Sequence, residues 1–127
     1  MRTIIIFVSS IFSTDHGKGT NHWLAQRITS VAMLPLTCLF FVFFFINFGS
    51  DYDQVRSYFT KPFVNTLTII FFLVTALHIK QGLEVVIEDY ISGKETRKKT
   101  KFINTIFCVL IAISSTFSLL SLYFFGN

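Results

Sequence analysis

The sequence predicts an all-α membrane protein with three transmembrane helices, and three observations carry that prediction. The 127 residues are 52% hydrophobic and only 14% charged, whereas a soluble domain carries about 25% charged residues. Three apolar runs, at 28–48, 62–91 and 102–125, each reach the roughly 20 residues that cross the hydrocarbon. The basic residues gather on one side of those runs, as membrane topology requires. Helices are the only open-ended way to span, because lipid offers no partner to a backbone N–H or C=O.

In chain order, residues 1–12 superficially resemble a signal peptide, but the apolar part is short and no small-residue cleavage site follows. They read as a retained interfacial or partner-packing segment. Residues 13–21, with Asp15, His16, Gly17, Lys18 and Gly19, read as a surface loop. The division expected is an inner-side segment at 1–21 and a three-helix anchor domain at 22–127. Pro35 in the first run implies a tolerated kink. The second run is interrupted by His78, Lys80, Gln81, Glu84 and Glu88, so that half of it must face protein or cofactor rather than lipid. Ser114, Ser115, Thr116, Ser118 and Ser121 suit close helix packing in the third.

Orientation follows from charge. Residues 92–101 hold Lys94, Arg97, Lys98, Lys99 and Lys101 against Glu95, while 49–61 balance Asp51 and Asp53 with Arg56 and Lys61. Arg2, Lys18 and Arg27 lead the chain. The positive-inside bias places the N-terminus and 92–101 on the cytoplasmic or matrix side and the C-terminus outside. The net charge of +4 thus sits beside the membrane runs, facing the lipid bilayer, and forms no nucleic-acid patch. Cys38 and Cys108 fall in separate apolar runs without metal-ligand spacing and read as buried, inert thiols.

The residues able to carry chemistry lie in the second run. His78 is deep in apolar sequence, where an unpartnered histidine is costly. Neutral imidazole is a common axial ligand of haem iron, and a structural histidine bonded to a neighbouring carbonyl is an equal alternative. Gly82, one turn on, would let a flat macrocycle lie against the backbone. No other histidine sits at that depth, since His16 and His22 precede the first run; a second haem ligand would come from another polypeptide. Tyr90, about 18 Å from His78 along a helix, can donate a hydrogen bond to a quinone carbonyl, and Asp89 can orient a base or relay a proton. On the residues alone the plainer reading is favoured, since an interfacial Tyr and a helix-ending Asp are ordinary in membrane proteins. Arg27 and His22 can hold carboxylates such as haem propionates, or Arg27 and Trp23 can simply anchor a helix end. Lys80 and Glu84 are spaced for an ion pair.

Two stretches together carry a resemblance: Gly19-Thr-Asn-His-Trp-Leu-Ala-Gln-Arg-Ile-Thr-Ser-Val-Ala-Met-Leu-Pro-Leu36, and His78 through Gly82 to Asp89-Tyr90. The chain resembles, from about Gly19 onward, the smaller (D-type) membrane-anchor subunit of succinate dehydrogenase, respiratory complex II. The resemblance implies half of a two-subunit anchor bundle that holds one haem b with a C-type partner and builds a ubiquinone site beside the iron–sulfur subunit. It implies His78 as axial haem ligand, Tyr90 with Asp89 at the quinone, and Arg27 and His22 near the propionates or the quinone pocket. Lys80 departs from the small or neutral residue expected there. The chain carries neither a flavin fingerprint nor cluster cysteines, so succinate oxidation would belong to a flavoprotein partner, and this subunit would be non-catalytic by itself. The expected location is a bacterial plasma membrane or the mitochondrial inner membrane. Alternatives are the anchor of a quinol:fumarate reductase or, in another class, a small intramembrane proton or ion transporter using His78, Lys80, Glu84 and Asp89.

Overall fold

A computed structural model describes residues 19–125, with side chains from Trp23 onward. Four helices follow one another: α1 (Gly19–Ile46), α2 (Tyr52–Phe59), α3 (Pro62–Tyr90) and α4 (Lys94–Phe125). α1, α3 and α4 are long and apolar enough to cross a membrane, at about 42, 43 and 48 Å.

The long helices exceed the apolar runs where polar residues continue the helix. α1 starts at Gly19, nine residues before the run at 28–48, so that Gly19–Asn21 are helical and not loop. α4 takes in Lys94–Lys101, leaving only 91–93 as connection. Lys, Arg, Glu and Thr tolerate helix well once a neighbour nucleates it, and here the apolar span does so. Arg97 donates from its backbone N–H to Gly93 O (2.8 Å) and from Nε to Ile91 O (2.8 Å), which ties the start of α4 to the last turn of α3. α2 lies inside the stretch read as a plain connection. α3 begins on Pro62, whose missing N–H costs nothing in a first turn. α1 continues through Pro35 and closes at Gly49, whose φ of 82° reverses the chain where a side chain would be strained.

α3 is the middle element, packed against α1 on one side and α4 on the other; α1 and α4 share no comparable interface. The neighbours run antiparallel. Lys101 meets Glu88 and Asn65 meets Leu119 along α3–α4, while Thr29 meets Gln81 and Phe40 stacks on Phe71 along α1–α3. One end of the bundle carries Arg27, Tyr90 and the lysines of α4. The other carries α2, where Arg56 reaches Phe125 O at 3.2 Å.

The interior is the reverse of a soluble core. Among the described residues, the buried apolar set is Ala25, Phe43, Val64, Ala76, Ile87 and Cys108, against a polar set of Thr29, Asn65, Thr68, Lys80, Gln81, Glu84 and Asn104. Large apolar side chains from Trp23 to Phe125 point outward, as lipid contact allows and water would not. Two expectations fail in detail. Cys38 is exposed on α1, whereas Cys108 is buried beside Asn104. Ser114 and Ser118 also face outward, and Ser114 and Ser115 return their hydroxyls to carbonyls of their own helix. In an apolar surrounding a serine satisfies itself most cheaply that way.

Candidate functional site

Of the polar residues that interrupt α3, His78, Lys80, Gln81 and Glu84 turn inward and divide between its two neighbours, while Glu88 is exposed. Successive residues lie 100° apart around a helix, so Lys80 and Glu84 face α4 while Gln81 faces α1. Lys80 Nζ donates to Glu84 Oε1 at 2.7 Å, and both residues are buried, at 9% and 8% exposure. Asn104 of α4 donates Nδ2 to Lys80 O at 3.0 Å. About 15 Å below Tyr90 along the axis, Lys80 is too deep to reach the surface and is neutralised where it lies. The pair accounts for a cation that the resemblance did not anticipate. Towards the basic end, Glu88 pairs with Lys101.

His78 lies half-buried on the opposite side of α3, towards α1. Its Nδ1 is 3.2 Å from the Thr29 hydroxyl, which also lies 3.0 Å from Gln81 Oε1 and 2.9 Å from Gln26 O. Thr29 comes this close because Ala25 and Thr29, four apart and both buried, put a small-residue stripe of α1 against α3. Gly82 shares the face of His78, and a Cβ built there would meet no atom within 4 Å. The His78–Gly82 face is therefore open away from this chain.

Tyr90 and Asp89 stand apart from that contact. Tyr90 is 85% exposed at the last turn of α3, Asp89 is exposed beside it, and neither side chain hydrogen-bonds any described residue. Arg27 is exposed two residues before Thr29 on α1, its guanidinium 4.2 Å above the Trp23 ring, a stacking that holds the fork without using its N–H donors. The side chain of His22 lies outside the described residues. The expected site residues thus gather at one end of the α1–α3 pair, and among those whose side chains are described, only His78 hydrogen-bonds to a neighbouring helix. Thr29, Gln81 and Asn104 are the residues that motif reading missed as partners. The available signal was the Ala25–Thr29 spacing and a lone Asn at position 104 in an apolar run.

Three spans in a row, with ionisable groups sealed between helices and an open histidine face at one end, define a multi-pass membrane protein that presents a polar site in its own plane. The chain belongs to the family described as succinate dehydrogenase/fumarate reductase transmembrane subunit, which matches residues 8–117. That match takes in residues 8–12, which the motifs had left out. A succinate dehydrogenase hydrophobic membrane anchor subunit from Rickettsia typhi is 31% identical over 84% of this chain and 86% of its own length. One from Paracoccus denitrificans is 30% identical over 80% and 78%. A succinate dehydrogenase membrane anchor subunit from Reclinomonas americana is 27% identical over 74% and 81%. No solved structure matches the chain. It is a multi-pass inner-membrane protein of this family, and the transporter reading gives way to it.

Proposed function

We propose that the chain is the D-type membrane anchor of a succinate:ubiquinone oxidoreductase, non-catalytic towards succinate, oriented with its basic end inward. It would hold a flavoprotein and an iron–sulfur protein at the membrane through a C-type partner, and contribute to a haem b site and a ubiquinone site. The observation that carries this reading is the Thr29–His78 contact on an open face of α3, in a chain whose relatives bear the anchor name.

The residues present fit a haem. His78 meets Thr29 through Nδ1, which leaves Nε2 for a metal, and the open surface at Gly82 accepts a flat group. Held there between His78 and the partner anchor, a haem would supply a one-electron store beside the quinone site. Arg27, with its donors uncommitted by the Trp23 stacking, suits a propionate or a quinone oxygen; His22 shares that end of α1.

Ubiquinone reduction takes up two electrons and two protons. Tyr90, at the membrane boundary, donates a hydrogen bond from its phenol to a quinone carbonyl, which favours charge building on that oxygen. Asp89, exposed to water beside it, takes protons from solvent and passes them on. The electrons come from the soluble partners, to which the anchor reading assigns succinate oxidation.

The test is a reduced-minus-oxidised spectrum of the detergent-purified complex, with its subunits resolved on a gel. A b-type α band together with flavoprotein and iron–sulfur subunits is expected; the absence of those subunits would overturn the anchor reading. Tyr90→Phe should slow quinone reduction roughly 5- to 10-fold, the worth of one hydrogen bond of about 1 kcal/mol, and leave succinate oxidation by a soluble dye intact. Unchanged quinone kinetics would remove Tyr90 from the site.

A further inference from the structure

The group that orients His78 comes from Thr29, which lies inside the stretch 19–36 but has no role assigned there. Thr29 is 2% exposed, and its hydroxyl lies within hydrogen-bond distance of two carbonyl oxygens, Gln26 O at 2.9 Å and Gln81 Oε1 at 3.0 Å, as well as His78 Nδ1 at 3.2 Å. A hydroxyl has one proton and two lone pairs. The two carbonyl oxygens only accept, so they compete for that proton. The imidazole nitrogen is then left to donate into a lone pair of Thr29. A neutral imidazole protonated at Nδ1 carries its free lone pair on Nε2, the form that binds a metal through that nitrogen.

We propose that Thr29 is a positioning residue for the haem ligand: its hydroxyl accepts from His78 Nδ1–H and thereby fixes both the ring orientation and the tautomer that presents Nε2. Gln26 O and Gln81 Oε1, sharing the hydroxyl proton between them, keep a lone pair of Thr29 turned towards the ring. The orienting contact is internal to this chain, between α1 and α3, and so exists before the partner anchor or the haem arrives. A histidine on an otherwise apolar helix face would rotate and exchange tautomers; the threonine removes that freedom in advance. The inference rests on the reading of His78 as a haem ligand.

Thr29→Val keeps the shape and deletes the hydroxyl, and Thr29→Ser keeps the hydroxyl and deletes the methyl. Both are read in the assembled complex by haem retention against an apoprotein competitor, by haem midpoint potential and by low-spin EPR. Thr29→Val is expected to weaken haem retention about 10- to 100-fold, with a shifted or broadened EPR signal, and Thr29→Ser to restore both. If the valine complex does not assemble, Thr29→Ala is read in its place with the same expectation. Parent-like retention and EPR in the hydroxyl-free variant, in a complex whose His78→Ala form has lost its haem, would overturn the role of Thr29 and leave the haem reading standing. A His78→Ala complex with the parent's haem spectrum would overturn both.

Discussion

The two ends of this bundle are held together by different chemistry. Towards the basic end the helices meet through polar groups, Thr29 with His78 and Gln81, Asn104 with the Lys80 carbonyl and Glu88 with Lys101, and α3 buries its own Lys80–Glu84 pair against α4. Towards the other end they meet largely through rings. Phe40 stacks on Phe71 at 4.5 Å, Phe72 closes on Phe40 edge-on, and Phe43 packs against Tyr58 of α2. In a bilayer an apolar side chain gains little by leaving lipid for protein, so ring packing joins helices without dictating which residues must meet. A buried charge or imidazole has no acceptable alternative to its partner. The polar end therefore fixes register, and it is also where every candidate functional residue lies.

That contrast can be broken most severely at Lys80. Lys80→Met takes the ion-pair partner from buried Glu84 and should cost about 3 kcal/mol, read by detergent-titrated unfolding, whereas the double change Lys80→Met with Glu84→Gln should recover most of the loss. A single variant as stable as the parent would mean that the pair holds nothing. At the ring end, Phe71→Ala loses a stacked and an edge-on partner, and about 1 kcal/mol is expected. A cost matching the lysine variant would erase the distinction between the two ends. Asn104→Leu removes one interhelical hydrogen bond, for which about 0.6 kcal/mol is usual in membranes. Its sharper readout is the spacing of labels on α3 and α4, which should loosen near Lys80 and stay fixed near Asn65, where the amide donates to both Phe59 O and Leu119 O.

Much of this was legible in the sequence because composition and length govern it. Three apolar runs gave three spans, and the interrupting polar residues of α3 announced a face turned away from lipid. The ion pair at Lys80 and Glu84 was legible from their four-residue spacing. Less could be read where packing decides. α1 begins at Gly19 and α4 at Lys94 because polar turns extend an established helix. α2 was missed because Tyr52–Phe59 is amphipathic over only eight residues. Thr29 stood inside a quoted motif, yet nothing local distinguishes it from Ser30, one position round the helix, which is exposed and bonds Gln26 O of its own helix. Cys38 was misjudged for a related reason: inside a span, apolar surroundings do not mean protein surroundings.

The most direct test of the account is the reduced-minus-oxidised spectrum of a His78→Ala complex, with the flavoprotein, iron–sulfur and anchor subunits confirmed on a gel. The expected result is an assembled complex whose b-type band is lost or strongly perturbed. An assembled complex with the parent's band unchanged would contradict it, and would reduce His78 to a structural histidine held by Thr29.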